Sequence, residues 1–154
     1  MPTVNLFGPV DSVLGAELGV GEEVLVVEAV ILVLVVLNMV SRIVAFRRHR
    51  SQAEDDGAGA VTRFLPHEVV NVALVLATFY YTTLNQHAGV VMSMLVLGLF
   101  ITDFFEFEAR KVEARREIPL ERPKGAIVAS TIVLFYAAYQ VLFFVIKGPF
   151  ANVV

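Results

Sequence analysis

The chain has no cysteine and no tryptophan, and only 18% of its 154 residues are charged. Without cysteine there are no disulfides, no thiolate metal sites and no cysteine nucleophile, and the compartment cannot be read from redox chemistry. A Gly-rich phosphate loop, a nucleophile elbow and an HExxH pair are also missing, so three common carriers of enzymatic chemistry are absent. Histidine is scarce. His67 and His87 fall at opposite ends of one expected helix, about 30 Å apart, and His49 falls in an expected loop, so no two converge on a haem or a metal ion. No Lys or Arg occurs between Met1 and Gly21, which argues against a cleaved signal with a basic n-region, so the first apolar run is expected to stay in the mature chain. No cofactor, no metal and no nucleic-acid partner is expected.

What the sequence does have is hydrocarbon. Apolar residues make up 57% and the mean hydropathy is +0.74, above the roughly 45–50% of a soluble domain. They come in unbroken runs rather than stripes. Val24 to Phe46 is 23 residues, about 34 Å as a helix and enough to cross a ~30 Å hydrocarbon layer. The predicted architecture is an all-α, antiparallel four-transmembrane-helix bundle with crossings over 22–46, 67–84, 90–107 and 126–146. Pro66 starts the second, and Glu68 complements its dipole. Residues 85–89 form a polar turn, and Gly148-Pro149 is expected to end the fourth crossing before the tail 147–154.

The segments between crossings are 47–66, whose Glu54 to Gly59 core has loop composition, and 108–125, expected to begin as a helical extension ending at Pro119. Glu106 with Arg110 and Glu108 with Lys111 would support that extension as ion pairs one turn apart. Arg47, Arg48, Arg50 and Arg63 in the first segment, and six basic residues in the other, face only Lys147 on the opposite side. The positive-inside rule then gives N-out and C-out in a cytoplasmic membrane. Within 1–21, the stretch Pro9 to Leu18 is expected to be a short helix on the outer interface.

Helical spacing aligns Glu28, Ile31, Val35, Asn38 and Arg42 on one stripe of the first crossing, and His67, Asn71, Thr78 and Asn85 on one stripe of the second. Polar seams in hydrocarbon must face one another or a wet cavity. Interhelical hydrogen bonding explains them, at about 0.6 kcal/mol per bond on average; a solute or proton path is the alternative. Arg42 and Asp103 lie at matching depth, with Asn38, Asn71 and His67 alongside and Ser130 and Thr131 near by. Alternatively, Arg42 snorkels to the headgroups. Glu28 has no Arg or Lys in its half of the bundle except Lys147 beyond the fourth crossing; it is expected to lie close enough to the outer headgroups to stay wet, the alternative being a proton-exchanging carboxyl bonded to Gln140, Tyr81 or Tyr139. A cytoplasmic partner surface is expected on Glu108, Lys111, Arg115 and Arg116, and the basic segments attract anionic lipid headgroups at about 1 kcal/mol per charge.

Nine of the twelve basic residues are arginine and the acids number fifteen, a bias that suits a halophile. From Val91-Met92-Ser93-Met94-Leu95 through Thr102-Asp103-Phe104-Phe105-Glu106 to Pro119-Leu120-Glu121-Arg122-Pro123-Lys124, and again at Tyr136-Ala137-Ala138-Tyr139-Gln140, the chain resembles a family of small uncharacterised haloarchaeal membrane proteins. The resemblance implies an archaeal membrane and the same four-crossing plan, and gives no residue a role. The expected function is a non-enzymatic accessory or assembly subunit, in contact with membrane lipid and able to form a homo-oligomer or join a larger complex. The alternative is an oligomeric proton or small-ion channel or transporter that uses the polar stripe.

Overall fold

The computed structural model describes residues 6–19, 24–57 and 59–151. They form five helices: α1 (Pro9–Leu14), α2 (Val26–Asp55), α3 (Leu65–Leu84), α4 (Gln86–Arg115) and α5 (Lys124–Ala151). No strand occurs among the described residues, so the all-α expectation holds. The four long helices pack in a ring, α2 on α3, α3 on α4, α4 on α5 and α5 back on α2. The extra helix is α1, which ends at Leu14 rather than Leu18 and contacts α2. The tail 152–154 and the side chain of Lys147 lie outside what is described.

Three helices are long and apolar enough to cross a membrane: α2, α4 and α5, with mean hydropathies of 2.5, 2.0 and 1.9. The fourth expected crossing, α3, is not among them. His67, Glu68, Asn71 and Thr78 dilute its apolarity. Yet three of these polar groups, His67, Asn71 and Thr78, are buried, while Val69, Val72, Leu76 and Phe79 are exposed. The same inversion holds around the ring, where Val36, Val40, Met94, Ile101, Val128 and Phe135 point outward. Inside, Val27, Ile31, Val35, Leu74, Met92, Val96, Leu99 and Val133 form one apolar core.

Several boundaries differ from the sequence reading. α2 does not stop at Phe46 but continues to Asp55, carrying His49 on a helix rather than a loop; Arg50 with Glu54 and Ser51 with Asp55, each one turn apart, support this extension. α2 and α4 have 30 residues each, about 45 Å, so both overrun a hydrocarbon layer at the same, basic end. There they hold a second small core of Val61, Phe107 and Ala114. The expected turn 85–89 shrinks to Asn85, whose side chain accepts from Ala88 N and caps α4. Gly89 makes so tight a hairpin fit: a Cβ there would strike the backbone of Thr82 and Tyr81. α5 runs through Gly148-Pro149 to Ala151, because a proline in the last turn removes one bond without a long helix beyond it to break.

Candidate functional site

Toward the basic end, side chains from α2, α3 and α4 close into one buried network. Arg42 Nε donates to Asp103 Oδ1 at 3.1 Å and Arg42 Nη2 to Asn38 Oδ1 at 2.6 Å. Asn38 Nδ2 donates to Asn71 Oδ1, and Asn71 Nδ2 to Asp103 Oδ2 at 3.0 Å. His67 Nε2 lies 2.8 Å from the same Oδ2, and its Nδ1 2.7 Å from Ser41 Oγ. A carboxylate paired with arginine can only accept, so Nε2 donates to Asp103, while the Ser41 hydroxyl also lies 3.1 Å from Asn38 O, to which it donates. Arg42 therefore does not snorkel; it is 3% exposed and points inward. Ser130 and Thr131 stay outside the network, both bonded to Ile127 O of their own helix.

At the opposite end Glu28 is held by two donors. Tyr81 Oη donates to Oε1 at 2.5 Å and Leu25 N to Oε2 at 3.0 Å, which makes the carboxylate a cap on the first turn of α2. Of the three partners expected from sequence only Tyr81 bonds it: Tyr139 is exposed and packs against Phe143, and Gln140 is only half-buried. Asn85 leaves the α3 stripe altogether, since it is exposed and occupied as a cap, and the buried seam is His67, Asn71, Leu74, Thr78 and Tyr81. Thr78 turns its hydroxyl to Val75 O. Glu28 and Asn38 are ten positions apart on α2, about 15 Å, and the space between is filled by Ile31, Val35, Leu74, Val96 and Leu99, each at most 1% exposed.

Ser41, His67 and Asp103 line up as a hydroxyl, an imidazole and a carboxylate, an arrangement that sequence spacing did not show because Ser41 lies one residue off the polar stripe. Nucleophilic chemistry would also need donors for an oxyanion. Ser41 sits in the middle of α2, where backbone N–H groups are consumed by the helix itself.

The basic end carries another pair that the sequence reading missed. His49 and Arg110 are 2% and 4% exposed, yet both ring nitrogens of His49 and the Nε and Nη1 of Arg110 lack a hydrogen-bond partner. The His49 ring packs on Phe107 at 5.2 Å, and the backbone of Thr62 faces it without completing a bond. Burial, and then the Arg110 charge, lower the His49 pKa to about 4; burial likewise lowers that of Arg110. The expected Glu106–Arg110 pair does not form, because Glu106 accepts instead from Gly125 N at 2.7 Å and Ala126 N at 3.3 Å, capping α5. Glu108 does meet Lys111, at 3.0 Å, and also Arg63, and its carboxyl is held below the ordinary range chiefly by Lys111. Arg115 and Arg116 are exposed. No group of three or more metal-binding side chains occurs among the described residues.

Apolar outside, hydrogen-bonded inside, and with three helices able to cross a bilayer, the molecule has the make-up of a small helical membrane protein. A family model described as Domain of unknown function (DUF7313) matches residues 1–154, and the chain belongs to that family. Searches of curated proteins and of solved structures gave no match.

Proposed function

We propose that this protein is a non-enzymatic subunit of the cytoplasmic membrane, crossing it four times with both termini outside, and serving assembly rather than transport. One observation carries this reading: the polar side chains toward the basic end bond to one another, and a closely packed, mainly apolar layer, in which Thr78 bonds back to its own helix, separates the Asn38–Asp103 network from Glu28. A path for ions needs a continuous polar lining or a water-filled passage, and the side chains Ile31, Val35, Leu74, Val96 and Leu99 packed there interrupt such a lining. The fourth crossing is α3. Its 20 residues span about 30 Å, it packs between α2 and α4, and its outer face is Val69, Val72, Leu76 and Phe79. Orientation follows from ten basic residues collected at one end. A halophilic archaeal source fits the acid-rich, arginine-dominated polar segments.

The basic knob built by the overrunning ends of α2 and α4 is the surface offered to a cytoplasmic partner. Arg115 and Arg116 supply its free charge, while Glu108 and Lys111 neutralise each other. Reversing both arginines to glutamate should release a co-purifying membrane partner without changing the helical circular dichroism signal; unchanged recovery removes that surface. A proton-conducting oligomer is the second reading, favoured by the Ser41···His67···Asp103 chain. Proteoliposomes holding a pH gradient separate the two. The assembly reading expects no dissipation by the native chain or by Glu28→Gln, whereas a flux lost in Glu28→Gln or His67→Gln would replace it.

A further inference from the structure

Between α2 and α5 at the basic end lies a cavity of about 480 Å³, within the range of small-ligand sites. Four arginines line it: Arg42, Arg47 and Arg50 from α2, and Arg122 from the approach to α5. No carboxylate does. Spacing explains how α2 builds one wall, since residues 39, 42, 43, 46, 47 and 50 recur by threes and fours on a single face. The charges are unequally free. Arg42, which falls between Met39 and Ile43, is buried and held by Asp103, and Arg50 meets only the well-exposed Glu54. Arg47 and Arg122 are exposed and make no ion pair among the described residues.

Below the three exposed arginines, Arg47, Arg50 and Arg122, the groove turns mainly apolar. Met39 and Ile43 face Ile127 across it, and the last two are about half-exposed. An anion alone would have no use for that floor, and an apolar chain alone would not need the guanidinium groups above it. We propose that this groove is a binding site for an anionic glycerophospholipid, its phosphate among Arg47, Arg50 and Arg122 and the upper part of its hydrocarbon chain along Met39, Ile43 and Ile127. Arginine suits the headgroup, because its planar fork matches phosphate oxygens two at a time. The depth agrees: Arg47 follows Phe46, the last residue of the long apolar run, where headgroups meet hydrocarbon. The site rests on the membrane reading above.

The test uses the full chain in phosphatidylcholine nanodiscs containing a minor share of phosphatidylglycerol, with retained lipid counted by mass spectrometry after detergent extraction. Phosphatidylglycerol should be enriched on the native chain. Arg47→Gln and Arg122→Gln, from opposite walls, should each lower the enrichment about fivefold. Arg48→Gln removes the same charge from the next residue, whose guanidinium instead covers Phe64, and should lower it less than twofold. An equal loss in Arg48→Gln would mean diffuse attraction and overturn the site, as would absence of enrichment. Glycerol 3-phosphate should not compete; if it displaces the lipid, the groove is a phosphate site and the lipid assignment falls. Flotation after carbonate washing reports insertion in the same samples. A chain that stays inserted without enrichment sinks the groove alone, and one that is stripped off sinks the membrane reading itself.

Discussion

Asp103 accepts from three side chains on two other helices, so it ties α2 and α3 to α4 in a region where apolar contact gives little reason to prefer one register. Removing one member of a buried ion pair leaves the other uncompensated, at a cost of about 3–5 kcal/mol. Asp103→Leu should therefore lower the thermal midpoint in detergent, followed by circular dichroism, far more than Arg42→Met with Asp103→Leu together. Additive losses would show that the two groups do not act as a pair. His49 sets a pH dependence of definite sign. Its folded-state value of about 4 lies below the ordinary 6.5, so its neutral form is favoured by folding. The contribution is complete above pH 6.5 and lost as pH falls toward 4, amounting to about 3 kcal/mol at the acid limit. The Arg110 charge facing the same ring is, after burial, the second cause of that shift. His49→Phe keeps the packing on Phe107 and removes the titration, so its midpoint should change less than the native one between pH 7 and pH 4.5. Parallel pH curves for the two proteins would refute the assignment.

At the scale of helices, close approach and capping decide how the ring closes. Gly89 lets α4 fold directly back on α3, and Gly89→Ala would push a methyl into the Tyr81–Thr82 backbone. Backbone cannot yield as a flexible side chain can, so the change should cost about 1–3 kcal/mol and loosen the hairpin, read as faster amide exchange at the start of α4. Exchange unchanged from native would show that the turn has slack. Glu106 belongs to the same class of device, a carboxylate of α4 that caps the first N–H groups of α5. The sequence pointed to neither. Hydrophobic runs and the three-to-four spacing of Glu28, Asn38, Arg42, His67 and Asn71 revealed the helices and which faces turn inward, because both signals are local. Glu106 beside Arg110 reads locally as an ion pair, whereas its use depends on where the chain returns 19 residues later. His49 beside Arg48 and Arg50 likewise reads as a solvated loop, until the Phe107 of another helix covers it.

The molecule as a whole is apolar around its waist and keeps buried polar clusters beside an apolar core, so its outer surface inverts that of a protein folded in water. That inversion makes α3 informative: judged alone it is too polar to cross a bilayer, yet its polar groups are covered by α2 and α4, and the surface it would show to lipid is apolar. The order of the helices around the ring then demands that if α2 and α4 cross, α3 crosses between them in the opposite sense. Topology can be tested cleanly because the native chain contains no cysteine. A cysteine placed at Asp56, just past α2, and another at His87, in the first turn of α4, report the two ends. With a membrane-impermeant maleimide on intact cells, His87→Cys should label and Asp56→Cys should not until the membrane is permeabilised. Labelling of both on intact cells would mean that α3 does not cross, and the reverse pattern would place the arginine-rich end outside, against the charge rule.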